Sequence, residues 1–144
     1  MRFKLETLIH KPRQEVWNAF GNIENMPKWQ PTLIKHEVLS GLPGQPGSVS
    51  ELNYKDGERE FSLIEKIIHD NEPNDLESAY ENRFAVNVVK NTFIEQGKDQ
   101  TLWIVENEFK FKTLLMKIIG NVLKKNYVRR TQRDMEHFKE MLES

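Results

Sequence analysis

Residues 101–143 read TLWIVENEFKFKTLLMKIIGNVLKKNYVRRTQRDMEHFKEMLE. From Thr101 to Phe111 apolar and polar side chains alternate, which indicates a half-buried strand. From Thr113 to about Glu143 the apolar side chains instead recur every three or four residues, which indicates one helix of about 30 residues and roughly 45 Å. Gly120 lies inside it and marks either a bend or a point of close packing. A helix of this length needs a large, strongly curved sheet to cover its apolar face.

The remaining chain supplies the strands of such a sheet. Phe3 to Ile9 alternates as a strand, Pro12 opens a helix that ends at Gly21, and a second short helix runs from about Ile23 to Trp29. Five further strands are predicted between turns: Leu33–Leu39, Ser48–Tyr54, Glu60–His69, Leu76–Arg83 and about Val88–Gln96. Because the turns are mostly short, neighbouring strands are antiparallel. The expected fold is α+β: a curved antiparallel sheet of six to seven strands around a long C-terminal helix, with two short helices after the first strand.

The composition is that of one globular domain, which we expect to span residues 1–144. Hydrophobic residues make up 38% and charged residues 30%, which argues against a disordered chain. The formal net charge is −1, whereas nucleic-acid-binding domains usually carry a strong basic excess, so no nucleic-acid partner is expected. The absence of cysteine excludes disulfides, thiolate metal sites and a cysteine nucleophile.

The sequence shows no recognisable targeting signal. Glu6 interrupts the apolar run that a signal peptide would need, and no small-residue cleavage site follows. No stretch approaches the roughly 18 apolar residues that a membrane-spanning helix requires, so stable membrane insertion is not expected. By elimination the expected location is cytoplasmic. A monomer and a homodimer are both compatible with the sequence.

Several short stretches, taken in order, are typical of one known superfamily. They are Ile9-His10-Lys11-Pro12 with Glu15–Phe20 for a first strand and helix, Asn25–Pro31 for a second helix, Gly44–Ser48 before the third strand, Thr101-Leu102-Trp103 at the last strand, and Phe138–Glu143 at the end of the closing helix. Over its whole length the chain resembles the helix-grip fold of the START/Bet v 1-like (SRPBCC) superfamily, and within it the polyketide cyclase/dehydrase-like proteins.

This resemblance implies a cavity between the sheet and the C-terminal helix. In that superfamily the cavity receives lipids, sterols, polyketides or other apolar molecules. Some members are cyclases or hydratases, whereas others are carriers, sensors or co-chaperones. The fold therefore does not select the function, which has to be argued from the site.

Apolar positions on the predicted elements are candidates for the lining of this cavity. The candidates are Trp29, Phe61, Leu63, Phe93, Trp103, Val105, Asn107, Phe109, Met116, Ile119, Leu123 and Tyr127. For each apolar side chain the alternative is plain core packing, as expected for Trp17, because a helix held by a curved sheet needs an apolar filling in any case. Trp29 is expected near the entrance. Since a sheet of this size leaves space that one helix does not fill, some cavity is expected to remain.

Two polar residues on apolar strand faces are candidate anchors for a ligand. Asn107 would cost about 1–3 kcal/mol if its buried amide had no partner, so it bonds a neighbour, a water or a ligand, and a neighbour is favoured. Glu65 lies between Leu63 and Ile67. If it is buried there, its pKa would be raised and it could act as an acid or a base. A bulge that turns it outward explains the sequence equally well and is favoured.

No catalytic residue, metal site or cofactor is predicted. The four histidines, His10, His36, His69 and His137, are far apart, and no HExxH pattern accompanies them. Nucleophile, P-loop and dinucleotide-binding motifs are also missing. Five cations on the last helix are expected to form a solvated face, with an anionic partner or a membrane surface as the alternative: Lys124, Lys125, Arg129, Arg130 and Arg133.

Three functions remain open from the sequence. The favoured one is a non-enzymatic carrier or sensor that holds a hydrophobic small molecule. The second is an enzyme of the polyketide cyclase or hydratase kind, in which Glu65, Asn107 or Tyr127 would transfer protons or supply hydrogen bonds. The third is a co-chaperone-like interaction protein, which is ranked last because the sequence shows no obvious exposed apolar surface.

Overall fold

The computed structural model describes all 144 residues. The elements in chain order are β1 (Arg2–Ile9), α1 (Arg13–Gly21), a 3-10 turn (Ile23–Asn25), α2 (Met26–Trp29), β2 (Leu33–Ser40), β3 (Val49–Asp56), β4 (Arg59–Asn71), β5 (Asp75–Glu81), β6 (Ala85–Glu95), β7 (Thr101–Phe111), α3 (Leu114–Val122) and α4 (Lys124–Glu143). All seven strands form one antiparallel sheet in the order β1-β7-β6-β5-β4-β3-β2. The predicted α+β fold class, with its short helices after the first strand, is confirmed.

Bulges bend the half of the sheet that is formed by β2, β3, β4 and β5. β2 shifts register against β3 between Leu33 and Lys35 and again between Val38 and Ser40. β4 shifts against β5 after Ile67. Each bulge adds a residue to one strand and increases the local twist. The half of the sheet formed by β1, β7 and β6 has no such shift, and β7 pairs with β6 along its whole length.

An aromatic core fills one end of the space between the sheet and α4. Its buried members are Ile9, Val16, Trp29, Phe93, Trp103, Val105, Met135 and Phe138. The Phe138 ring packs edge-to-face at 4.9 Å from Trp103 and 5.3 Å from Trp29, measured between ring centroids. As predicted, Trp17 packs against this core, with its ring 5.7 Å from that of Phe93. This end of the molecule is therefore closed by α1, α2 and the middle of α4.

The predicted long C-terminal helix is confirmed in α4, which has 20 residues, but it does not extend over about 30 residues, because the helix breaks at Leu123. This residue has φ −89° and ψ 3°, and it separates α3 from α4. α3 begins at its own N-cap, where the Thr113 hydroxyl accepts a hydrogen bond from the Met116 backbone N–H at 3.1 Å. Gly120 is not the bend but a point of close packing, since a Cβ atom there would come within 2.1 Å of the Phe111 ring.

The expectation that no apolar surface is exposed is also wrong. α3 has two apolar faces, and only one of them turns toward the sheet. The outer face presents Leu114, Leu115, Ile118 and Val122, all of which are more than half exposed. The steps of four between Leu114, Ile118 and Val122 already indicated this second stripe, but the prediction considered only the stripe that faces inward. No helix in the structure is both long and apolar enough to cross a membrane.

Candidate ligand cavity

A cavity of about 510 Å³ lies between the sheet, α3 and α4. It has 30 lining residues, of which 20 are hydrophobic. Cavities of this size and character are typical of small-molecule sites, which are mostly apolar with a few polar groups. Its open end is formed by the exposed lining residues Arg59, Phe84 and Ile119, and its closed end by the aromatic core.

The structure brings most of the predicted lining residues to this one cavity. Those that line it are Trp29, Phe61, Leu63, Trp103, Val105, Asn107, Phe109, Met116, Ile119, Leu123 and Tyr127. The strand positions follow directly from alternation, because β7 directs every second side chain inward from Trp103 to Phe111. The helical positions follow from spacing, and the Tyr127 ring stacks on that of Phe109 at 5.0 Å.

Two of the predicted positions need correction. Phe93 does not reach the cavity: it is 1% exposed and lies under Trp103, with the two rings stacked at 6.1 Å. Trp29 lines the cavity but not at its entrance, because α2 packs it against Phe138 at the closed end. In both cases the packing of α1 and α2 against the sheet, which alternation does not report, determines how deep the ring lies.

A group of amides on β6 and β7 gives the apolar wall a polar centre. Asn87 Nδ2 donates a hydrogen bond to Asn107 Oδ1 at 3.2 Å, and Trp103 Nε1 donates one to Asn91 Oδ1 at 3.0 Å. As expected, Asn107 bonds a neighbouring side chain. Its Nδ2 group, the Asn87 Oδ1 atom and the Trp29 Nε1 atom are buried without a hydrogen-bond partner in the protein. The wall therefore carries two free donors and one free acceptor.

A second polar group lies where α4 crosses β3 and β4. The Arg130 guanidinium carbon lies 4.7 Å from the centre of the Phe61 ring and 5.2 Å from that of Tyr54. The Tyr54 hydroxyl donates a hydrogen bond to Gln30 Oε1 at 3.1 Å. Burial raises the pKa of Asp134, one turn further along α4, to about 6, although Arg130 opposes the shift. This carboxyl group gains and loses its proton close to neutral pH.

Glu65 does not turn outward as the sequence suggested. The register of β4 is continuous through Glu65, which lies opposite Tyr80 on β5, and the bulge comes only between Ile67 and His69. Its side chain consequently stays on the inner face of the sheet. Burial raises the pKa of Glu65, with the Tyr80 hydroxyl and His36 acting in the opposite direction. Burial, and next the Glu65 charge, also raise the pKa of Tyr80, a cavity-lining residue.

Several polar residues of the cavity wall were not predicted, although some of them left a signal in the sequence. Arg130 and Asp134 follow Tyr127 at steps of three and seven, so helical spacing places them on its face. Tyr54 lies two residues after Leu52 on β3, so strand alternation places both side chains on the inner face of the sheet. Arg130 was assigned to the solvated face of the last helix, but it lies on the cavity wall beside Phe61. Tyr54 and Asp134 were not considered as lining residues. No three His, Asp or Glu side chains lie close enough together to hold a metal ion.

The sequence relationships of the chain fit this geometry. Residues 9–136 match the family described as polyketide cyclase/dehydrase and lipid transport. The chain belongs to this family. The matched residues run from the end of β1 into α4 and so include every residue that lines the cavity. No curated protein sequence matches the chain.

Solved structures with the same fold extend over nearly the whole chain. The Zhui aromatase/cyclase from Streptomyces sp. R1128 has a TM-score of 0.79 and 11% identity, covering 99% of this chain and 93% of its own. A START superfamily protein from Mycobacterium smegmatis has a TM-score of 0.78 and 14% identity, covering 98% of both chains. Norcoclaurine synthase from Thalictrum flavum, solved with dopamine and hydroxybenzaldehyde, has a TM-score of 0.74 and 13% identity, covering 99% of this chain and 86% of its own. These likenesses establish the START/Bet v 1-like helix-grip fold.

Proposed function

We propose that this protein binds a hydrophobic small molecule, of lipid, sterol or polyketide type, in the cavity between the sheet and α4, as a carrier or sensor. The cavity itself is the observation that supports the proposal most strongly. About 510 Å³ surrounded by 20 hydrophobic residues would be costly to keep in a plain core, because protein interiors are otherwise close-packed. The unpaired donors of Trp29 and Asn107 suit a ligand that also carries an oxygen acceptor.

Titration with the neutral apolar dye N-phenylnaphthylamine tests this proposal. We expect saturable binding, with quenching of tryptophan emission, because Trp29 and Trp103 both line the cavity. In a Leu63→Trp variant the larger side chain fills part of the cavity, and we expect the affinity to fall about tenfold or more, which is ~1.4 kcal/mol of binding free energy. Native mass spectrometry of the purified protein would then identify any ligand that it retains.

Ile64→Trp is the matched control for this experiment. Ile64 is the next residue on β4, is partly buried like Leu63, and points to the opposite face of the sheet. It should bind the dye as the unmodified protein does. Equal losses in the two variants, or no loss in either, would show that the dye binds outside the cavity and would remove the main support for the proposal.

An enzyme of the cyclase kind is the second candidate, and the environment of Asp134 favours it. With a pKa of about 6 this carboxylate can accept a proton near neutral pH. In an aldol ring closure it would take a proton from a carbon between two carbonyl groups. The resulting enolate carbon would attack a third carbonyl of the same chain, and the new alkoxide would be protonated before water is lost. Arg130 and Tyr54 line the cavity nearby and could stabilise the enolate oxygen.

Incubation with a linear poly-β-carbonyl compound separates the two candidates. An enzyme would convert it to a product lighter by one water, and the Asp134→Asn variant would lose the reaction while Asp99→Asn, in the β6–β7 turn, would keep it. Tight binding without any change in the mass of the compound would favour the carrier or sensor. Turnover that survives in Asp134→Asn would remove this residue from the proposed chemistry.

A further inference from the structure

The outer face of α3 is an apolar surface that the cavity does not account for. Leu114 is 74% exposed, Leu115 61%, Ile118 55% and Val122 76%. We call these four side chains the α3 patch. The opposite face of the same helix, through Met116 and Gly120, already lines the cavity. Packing inside the protein therefore does not explain the patch, and four large aliphatic side chains clustered on one exposed helix are unusual for a surface.

The chain around the α3 patch is strongly basic. Residues 110–133 contain eight Lys and Arg residues and no Asp or Glu, although the net charge of the whole chain is −1. Lys112, just after β7, forms a salt bridge with Glu81 at the end of β5. Lys117, Lys124 and Lys125 are exposed and form no salt bridge. Three free cations thus border an apolar helix face.

The turn between β5 and β6 extends this surface with an aromatic side chain. The Lys112 backbone N–H donates a hydrogen bond to the Phe84 carbonyl at 3.0 Å, which fixes the turn beside the start of α3. Phe84 is itself exposed, and the Arg83 guanidinium carbon lies 4.8 Å from the centre of its ring. An exposed aromatic ring under an arginine, next to aliphatic side chains and lysines, is the composition found where proteins meet lipid headgroups.

We propose that the α3 patch docks on the surface of an anionic lipid bilayer. Aliphatic side chains would enter the boundary between headgroups and acyl chains, while the bordering lysines would contact anionic headgroups. A second copy of the chain fits less well. A two-fold interface places the same patch on both sides, so Lys117, Lys124 and Lys125 of one copy would face those of the other with no acidic residue in either patch. A bilayer supplies both the apolar phase and the opposite charge.

Docking in this way would place the mouth of the cavity at the bilayer. Ile119 and Phe84 belong to the open end of the cavity. Ile119 lies one turn after Leu115 and so borders the α3 patch, and Phe84 is bonded through its carbonyl to Lys112, two residues before Leu114. If the protein holds an apolar ligand as proposed above, that ligand could pass between bilayer and cavity without crossing water. The docking itself does not depend on that proposed function, because it requires only the outer face of α3.

Vesicle co-sedimentation without added ligand tests the docking. The probes are vesicles of phosphatidylcholine alone and vesicles that also contain phosphatidylglycerol, each at low and at high salt. We expect binding to the anionic vesicles that weakens with salt, because the lysines are exposed to the solvent. The double variant Leu114→Ser and Val122→Ser should lower the partition coefficient about tenfold or more, since each CH₂ group buried in the bilayer contributes roughly a factor of four.

Leu42→Ser is the matched control, because Leu42 is 73% exposed but lies in the β2–β3 loop. It should sediment like the unmodified protein. Failure of the unmodified protein to bind anionic vesicles, or equal losses in the control and in the α3 variant, would overturn the proposal. A dimer in sedimentation velocity that becomes monomeric in the α3 variant would overturn it too, in favour of a second copy. Dye binding to the cavity, measured on the same proteins without vesicles, reports separately on the proposed function.

Discussion

Replacing Asp134 by asparagine should stabilise the protein at neutral pH, although it removes a charge that lies near Arg130. The folded structure raises the pKa of Asp134 from 3.8 to about 6, mainly because burial disfavours the ionised form. Because the pKa of Asp134 is higher in the folded protein than in the unfolded chain, the ionised carboxylate destabilises the folded protein at pH values above 6. The penalty is fully present at pH 7 and disappears as the pH falls through 6 and below 3.8.

The size of this effect follows from the two pKa values. Their difference corresponds to about 3 kcal/mol at pH 7, and because the side chain is not fully buried, about 2 kcal/mol is the safer expectation. At pH 4 the difference falls to about 0.5 kcal/mol, because the carboxyl group is then protonated in the folded protein and roughly 40% protonated in the unfolded chain. Asparagine mimics the protonated form, so the variant should gain about 2 kcal/mol of stability at pH 7 and about 0.5 kcal/mol or less at pH 4.

Urea unfolding of the protein and of Asp134→Asn at both pH values measures this difference. Asp99→Asn is the control for loss of one negative charge, and as a surface substitution it should change the free energy of unfolding by about 0.5 kcal/mol or less. A variant less stable than the parent at pH 7 would refute the reasoning, since ionised Asp134 would then contribute more through Arg130 than its burial costs. A stabilised Asp134→Asn variant would also mean that any loss of activity is not due to unfolding.

Two further predictions concern packing. Gly120→Ala should destabilise the protein by about 1 kcal/mol or more, because the new Cβ would overlap the Phe111 ring, whereas Gly21→Ala in α1, with nothing within 4 Å, should be neutral or stabilising in thermal unfolding. Trp103→Phe should cost about 2–4 kcal/mol, because it removes buried volume and leaves the Asn91 amide oxygen without its donor. Adding Asn91→Leu should recover part of that loss in urea unfolding, and no recovery would mean that the hydrogen bond matters little.

Alternation and helical spacing were sufficient to predict the fold class and 11 of the 30 residues that line the cavity. The strand from Thr101 to Phe111 has the bounds that its pattern predicts, and its inward side chains line the cavity. These features are local: a side chain's face follows from its position modulo two in a strand or modulo about 3.6 in a helix. Glu65 follows the same rule: alternation alone places it on the inner face, and the prediction of a bulge that turns it outward was wrong.

The sequence by itself determined the order of the elements, the inward faces of the strands and the chemical character of the interior. Tertiary structure alone decided the break at Leu123, the depth of Phe93 and Trp29, and the meeting of Tyr54 with Arg130. The depth of the two rings and the contact of Tyr54 with Arg130 depend on residues far apart in the chain. The packing, burial and charge of a side chain at such a contact depend on the residue that it meets, and the local sequence pattern does not show which residue that is.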